Sequence, residues 1–328
     1  MIDSPQALLG ELRARGLATA AAQDVAPEHA GPERPWYIGL MLGTAGWIAG
    51  LFLLAFIGGL FHSAGPLVGA PLLLAAAWGL YKVDREGAFV SQLALALSVA
   101  GQVLAVFWLG DTFFRGSRGI TGIAFFALIL QLALIVAMPN RLHRTMSALF
   151  AVIAWAVFVR FGLWDEPVWD RGRKEPLPLP LALGGWAIVW LPVAGMLYLI
   201  ARREAEWMAR GWQEMVRPAA TGLIVALAIT TLLSQPLESF PFGPSSAPGQ
   251  GGKAIWPLLS AAAALGALAA AFALGNRGLA ATCIVAALAH LSHFYYAVGT
   301  SLLTKSLTMI AAGAILLWTA RSMRRPPP

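Results

Sequence analysis

Ten long apolar runs dominate this chain, and each has close to the ~20 residues that a helix needs to cross ~30 Å of hydrocarbon. Apolar residues make up 58% of the 328 positions and charged residues 12%, against about 45–50% and about 25% in soluble domains. The runs are apolar on every face, whereas the strands of a membrane barrel alternate with a period of two and are half as long. We therefore predict an all-α, polytopic transmembrane helical bundle with about ten spans. The runs extend from Trp36 to Phe61, Ala64 to Tyr81, Ala88 to Leu109, Gly119 to Met138, Thr145 to Leu163, Leu181 to Ala201, Pro218 to Ser234, Ile255 to Leu274, Leu279 to Ala297 and Ser301 to Ala320.

Cationic side chains between the runs predict the orientation of the bundle. If the amino terminus is cytoplasmic, the inside segments hold 15 Lys and Arg residues and the outside loops hold 6. This bias satisfies the positive-inside rule and predicts that both termini are cytoplasmic. The cations are scattered through short loops and form no basic stripe, so the net charge of +7 does not indicate a nucleic-acid partner.

Residues 1–35 differ from the rest of the chain and are predicted to form a cytoplasmic tail, with residues 36–328 forming the transmembrane domain. Ser4-Pro5, followed by Leu8, Leu9 and Leu12, is typical of a short capped amphipathic helix. A docking helix and a marginal helix on a flexible tail are both compatible with this pattern. The residues between this segment and the first run are interpreted as a linker.

The charges inside the runs are unevenly distributed. All 16 acidic residues lie outside the apolar runs, whereas the cations Arg160 and Lys305 lie inside them. Because proton relays and sodium sites in membranes generally use carboxylates, this pattern argues against a carboxylate-based relay.

The densest polar cluster spans the last two runs. Helical spacing places Ser301, Lys305 and Thr308 on one face of the tenth run, and His290 and His293 lie one turn apart in the ninth. One interpretation is a polar pocket opening outward, with Lys305 as an anion-binding centre. The other is that Lys305 lies close enough to the boundary for its ammonium to snorkel to the headgroups. The candidate pocket residues are His290, His293, Tyr296, Ser301, Lys305 and Thr308.

A second set of deep polar residues comprises Gln102 in the third run and Gln131 in the fourth, with Ser91 and Ser98 on roughly the same face as Gln102. Amides at such positions usually hydrogen-bond between helices, although they can also line a solute path. The first run carries a ridge of small residues, which favours close approach of another helix. The ridge consists of Gly39, Gly43, Gly46 and Gly50.

Motifs that would indicate catalysis or a cofactor are not found in the sequence. A phosphate-binding glycine loop, an HExxH zinc motif and a GxSxG elbow are all absent. His290 and His293 alone supply too few ligands for a stable metal site, and Cys283 is the single cysteine. We therefore predict a non-enzymatic protein without a metal or cofactor.

The chain carries a series of short motifs: Arg34-Pro35-Trp36-Tyr37, Gln92, Gly101-Gln102, Asn140-Arg141-Leu142-His143-Arg144, His293-Phe294-Tyr295-Tyr296, Ser301-Leu302-Leu303, Lys305-Ser306-Leu307 and Gly313. Together these motifs resemble a bacterial inner-membrane family, the domain of unknown function 4401. The resemblance implies a multi-pass inner-membrane protein, often encoded beside a small membrane-anchored protein with a Gly-Asp-Tyr motif. It implies no reaction.

Two functions follow as hypotheses. The leading one is a component of an envelope complex that contacts membrane lipid and such a partner protein. The alternative is a transporter or channel for a small neutral or anionic solute.

Overall fold

A computed structural model describes residues 36–61, 65–83, 87–113, 119–163, 179–229, 255–297 and 301–322, and these segments form ten helices. The helices are α1 (Trp36–Phe61), α2 (Gly65–Val83), α3 (Ala88–Phe113), α4 (Gly119–Ala137), α5 (Arg141–Leu163), α6 (Leu179–Ala209), α7 (Gln213–Ile229), α8 (Ile255–Ala273), α9 (Arg277–Ala297) and α10 (Leu302–Ser322). Each of the ten apolar runs overlaps one of them, so the predicted all-α class is confirmed for the described segments.

Among these segments, six helices are long and apolar enough to cross a membrane: α1, α3, α4, α5, α6 and α9. The apolar parts described in α2 and α8, Val68–Val83 and Leu258–Ala273, are shorter. The chain is therefore a membrane protein, while the count of about ten spans stays a prediction. The tail of residues 1–35 and its amphipathic helix lie outside the described residues.

The helices form two groups that meet along α4 and α5. In the first group α3 packs against α1, α2 and α4, around a core that includes Leu73, Leu97 and Leu134. In the second group α7 packs against α5, α6, α8 and α9, around a core that includes Ile224 and Cys283. Because α4 packs along the length of α5, the two groups are joined by this pair of helices.

Glycines on α1 allow that helix to lie directly on α3. A Cβ atom at Gly46 would lie 2.8 Å from the backbone nitrogen of Leu93, and one at Gly50 would lie 2.7 Å from the Cβ of Ala96. Gly43 faces the side chain of Gln92, which also lies on α3. The predicted close approach is therefore confirmed for three of the four ridge glycines and is wrong for Gly39, where an added Cβ atom would have no described residue within 4 Å.

Two prolines inside helices leave backbone carbonyls that other helices satisfy. Proline has no N–H, so the carbonyl four residues earlier loses its helical donor. In α6 that carbonyl is Ile188, ahead of Pro192, and the Trp155 indole donates to it at 3.3 Å. In α7 it is Glu214, ahead of Pro218, and the Arg144 guanidinium donates to it at 2.6 Å. Such compensation is what allows proline within membrane helices.

The starts of α5 and α9 are capped in the same way. The Asn140 side-chain oxygen accepts from the backbone N–H of His143 at 3.0 Å, and that of Asn276 accepts from Leu279 at 3.1 Å. Asparagine at this position satisfies one of the amides that a helix start leaves free. At α5 the cap sets the register of the first turn and thus the position of His143.

Candidate functional site

The amides of Gln102 and Gln131 contact each other between α3 and α4. The Gln131 Nε2 donates to the Oε1 of Gln102 at 2.7 Å. The Gln102 Nε2 in turn donates to the hydroxyl of Ser98, one turn earlier in α3, at 3.1 Å. All three side chains are buried. The structure thus brings together the two glutamines and Ser98, all three of which were named from the sequence.

His143, in the first turn of α5, extends this chain of hydrogen bonds to a third helix. Its Nε2 lies 2.7 Å from the Ser98 hydroxyl, and its Nδ1 lies 3.3 Å from the Ser147 hydroxyl in the next turn. The imidazole is buried, and the ring of Tyr81 from α2 packs edge-on against it, with centroids 5.9 Å apart. Both ring nitrogens therefore have a hydroxyl partner inside the protein.

We call Gln131, Gln102, Ser98, His143 and Ser147 the glutamine–histidine network. Its hydrogen bonds can all run in one direction. Because the Ser98 oxygen accepts from Gln102, its own proton is free to bond the Nε2 of His143, and the Nδ1 proton then bonds Ser147. In this arrangement each interior member both accepts and donates, which satisfies a buried polar chain.

One atom of the network has no hydrogen-bond partner among the residues that the structure describes. The Oε1 of Gln131 is buried and unpaired, and the residue as a whole is only 5% exposed. A buried carbonyl oxygen without a donor costs about 1–3 kcal/mol, so native structures generally supply one. The network therefore ends in an unsatisfied acceptor.

Beside this network lies a cavity of about 580 Å³ between α3, α4 and α5, and Gln131 is one of its lining residues. Gln102 and Gln131 provide polar lining, and the apolar lining includes Val103, Val106, Ile123 and Phe150. Val103 is 57% exposed, so the cavity reaches the outer surface of α3. A volume of this size is within the range of small-molecule sites, which is about 300–1,000 Å³.

The polar cluster predicted around Lys305 is built differently. The Nε2 of His290 donates to the carbonyl of Ala228, in the last turn of α7, at 3.0 Å. The Lys305 ammonium donates to the carbonyl of Tyr295, in the last turn of α9, at 2.6 Å and lies 5.2 Å from the centre of that ring. These two side chains thus hydrogen-bond to different helix ends, whose carbonyls lack helical donors.

The other members of the predicted pocket are His293, Ser301, Tyr296 and Thr308. His293 is half-buried and Ser301 is exposed, while the side chains of Tyr296 and Thr308 lie outside what the structure describes. Within the described ranges, no three His, Cys, Asp or Glu side chains come close enough to hold a metal ion.

Sequence reasoning did not select His143 or Ser147, although a local signal for both exists. Ser98 and Gln102 are four residues apart, as are His143 and Ser147, and that spacing places each pair on one helix face. His143 also follows the capping asparagine by three residues, which indicates a helix start. Two polar pairs at helical spacing next to apolar runs are the pattern that predicts such a network.

Residues that carry the family resemblance have identifiable structural roles here. A Cβ at Gly101 would lie 3.0 Å from the carbonyl of Ala70, so this glycine allows α2 to contact α3. Gln102 and His143 belong to the network, Asn140 caps α5, and Arg144 contacts α7. These motif positions therefore serve helix contact, helix capping and hydrogen bonding between helices.

Comparison with curated proteins and with solved structures found no match to this chain. The sequence profile of one family, described as a domain of unknown function (DUF4401), matches residues 35–241 and 252–325. That match covers all ten helices, including the glutamine–histidine network and the cavity beside it. The chain therefore belongs to the family of the domain of unknown function 4401.

Proposed function

We propose that this protein is a multi-pass component of the bacterial inner membrane with about ten spans and both termini in the cytoplasm. In this proposal it is not an enzyme. It assembles with a small membrane-anchored protein into an envelope complex, and α10 is the helix that contacts the partner. The exposed aliphatic face of α10 is the observation that carries the proposal.

On α10, the side chains that the structure describes include exposed aliphatic groups. The aliphatic side chains of Leu303, Leu307 and Ile310 are all exposed, and Leu307 is 59% exposed. In contrast, α9, which precedes it, packs closely against α8 and also against α7. Because helices in lipid associate through close packing, the exposed aliphatic face of α10 can receive a helix of another protein.

Charged contacts at one end of the bundle support the proposed orientation. The start of α5 meets the start of α7 there, with Arg141 3.7 Å from the carboxylate of Glu214. The end of α6 meets α7 at the same end through an ion pair of 3.2 Å between Arg217 and Glu204. Basic residues outnumber acidic ones in these segments, which favours a cytoplasmic location for this end.

Photo-crosslinking at native expression tests the assembly directly. The photoreactive residue p-benzoylphenylalanine replaces Leu307 on α10 in one variant, and Phe52, which is 73% exposed on α1, in a matched control. We expect an adduct with one small membrane protein at position 307 and none at position 52. Deleting the gene for that protein should remove the adduct.

Three results would contradict the proposal. The first is an adduct between two copies of this chain at position 307. The second is equal adduct formation at positions 307 and 52. The third is no adduct at either position after irradiation. The orientation is tested separately in a Cys283→Ala background, where Ser301→Cys should react with a membrane-impermeant thiol reagent from the periplasmic side. Reaction only after the membrane is permeabilised would reverse the orientation.

The cavity and the network favour one other function, a channel or transporter for a small neutral solute. The glutamine–histidine network connects the cavity to the first turn of α5 through side-chain hydrogen bonds. None of these hydrogen bonds involves a charged side chain. In proteoliposomes, a transporter should speed swelling in glycerol or urea relative to empty vesicles. His143→Leu should remove that increase, and equal rates for all three preparations would reject transport of these solutes.

A further inference from the structure

We propose that the cavity between α3, α4 and α5 binds a neutral lipid alcohol, a long-chain molecule whose single hydroxyl donates to the Oε1 of Gln131. This site is distinct from the proposed partner surface on α10. The inference depends on the unpaired oxygen, the apolar lining and the position of the cavity opening.

The unpaired oxygen determines which hydrogen-bonding group the ligand carries. The amide nitrogen of Gln131 donates one of its two protons to Gln102, whereas its carbonyl oxygen has no donor and is the unmet group that a ligand can satisfy. Because this oxygen accepts but cannot donate, the ligand must supply an O–H or N–H group. An ether, an ester or an ionised carboxylate has only acceptors and would leave the oxygen unpaired.

The lining also determines the charge of the ligand. Val103, Val106, Ile123 and Phe150 are apolar, and the two glutamines are neutral. An ammonium group placed here would lose its hydration without gaining a counter-charge, at a cost that one amide oxygen cannot offset. A neutral hydroxyl gains a hydrogen bond at a much smaller desolvation cost, so an alcohol fits better than an amine.

The opening indicates that the ligand enters from the bilayer. Val103 lines the cavity and is exposed on the outer face of α3. The exposed surface of α4 is also apolar, because it includes Phe125, Ile129 and Leu132. In a membrane these surfaces face acyl chains, so the apolar chain of the alcohol can stay in lipid while its hydroxyl reaches Gln131.

Photolabelling in lipid nanodiscs tests the site with defined probes. The probe is a sixteen-carbon alcohol carrying a diazirine and an alkyne, and the competitors are hexadecanol, its methyl ether and palmitate. We expect labelling of peptides from α3, α4 and α5, and about tenfold stronger competition by hexadecanol than by the ether, because only the alcohol donates the hydrogen bond. Palmitate should compete no better than the ether.

Variants separate the hydrogen bond from the cavity itself. Gln131→Leu should reduce competition by hexadecanol to the level of competition by the ether. Ile123→Trp fills the cavity and should abolish specific labelling. Leu132→Ala is the matched control, because Leu132 is exposed on the helix that carries Gln131. Each variant is first checked for an unchanged helical circular-dichroism spectrum and elution volume, and Gln131→Asn replaces Gln131→Leu if that variant does not fold.

Specific outcomes would overturn the inference. Equal competition by hexadecanol and its ether would mean that the cavity holds acyl chains through apolar contact alone. If Gln131→Leu leaves the labelling unchanged, the Gln131 amide has no role in binding the alcohol. Labelling that Ile123→Trp leaves unchanged would place the bound alcohol elsewhere on the protein.

Discussion

The glutamine–histidine network and the cluster around His290 and Lys305 are both polar groups within apolar helices, yet they are built on different principles. The network joins side chains to side chains across α3, α4 and α5. In the second cluster, His290 and Lys305 each bond a backbone carbonyl at the end of a helix. The first arrangement depends on how three helices are rotated against one another, while the second caps individual helices.

The comparison shows that the number of polar residues in a short stretch of sequence does not identify where a membrane protein has a ligand site. The cluster near the end of the chain has more polar residues within a short stretch of sequence. The network has fewer residues per helix, but it is buried where the two helix groups meet, and one of its oxygens is left without a donor beside a cavity. A ligand site needs such an unmet group, and helix caps leave none.

The largest effect on stability should come from His143→Leu. This change removes the partner of both Ser98 and Ser147, and buried polar groups left without partners cost about 1–3 kcal/mol. We expect the free energy of unfolding, measured by denaturant titration in mixed micelles, to fall by about 2 kcal/mol. A smaller loss than that of His290→Leu would contradict the distinction between the two clusters.

A double-mutant cycle should then detect the coupling within the network. Ser98→Ala and His143→Leu remove the same hydrogen bond, so their effects should fail to add, with a coupling energy of about 1 kcal/mol. Ser98→Ala and His290→Leu serve as the control pair and should add within about 0.5 kcal/mol, because the structure places them in different contacts. If both pairs are additive, the hydrogen bond to His143 contributes nothing measurable.

His290→Leu should have a moderate and local effect. Only the Ala228 carbonyl loses a donor, and it lies in the last turn of α7. We expect a loss of about 1 kcal/mol and faster amide hydrogen exchange at the end of α7, with exchange in α3 unchanged. Faster exchange throughout the bundle would mean that His290 holds the fold together as His143 does.

Lys305→Met should have the smallest effect. The ammonium contacts the carbonyl and ring of Tyr295 near the start of α10, and methionine retains most of the apolar stem. We expect a change within about 0.5 kcal/mol, similar to that of Lys82→Met, whose ammonium lies over the ring of Trp78 at the end of α2. A loss above that of His290→Leu would revive Lys305 as the centre of a polar pocket.

The apolar runs predicted where the helices lie, but they predicted the helix ends less well. For α1 the run and the helix share both limits, Trp36 and Phe61. For α6 the helix continues eight residues past Ala201, to Ala209, because charged residues can continue a helix once it leaves hydrocarbon. An apolar run measures the width of the bilayer core, whereas helix ends are set by caps and turns such as that at Gly211, where φ is +79°.

The candidate site was predicted only in part, and His143 shows why. The fifth run was taken to begin at Thr145, so His143 was assigned to a loop, but the Asn140 cap starts α5 at Arg141. Gln102 and Gln131 were recognised as deep polar residues, since each interrupts an apolar run. That they contact each other, rather than other partners, depends on the rotation of α3 against α4, which apolar runs without a polar face leave undetermined.

The sequence by itself determined that this chain is a helical membrane protein, because only helices satisfy the backbone of long apolar segments in lipid. It also determined that the acidic residues lie outside those segments, which argues against a carboxylate relay. Tertiary structure alone decided that Ser98 meets His143 and that Gln131 keeps a free oxygen at a cavity. In lipid the hydrophobic effect does not select which faces of two apolar helices meet, so close packing and hydrogen bonds make that choice.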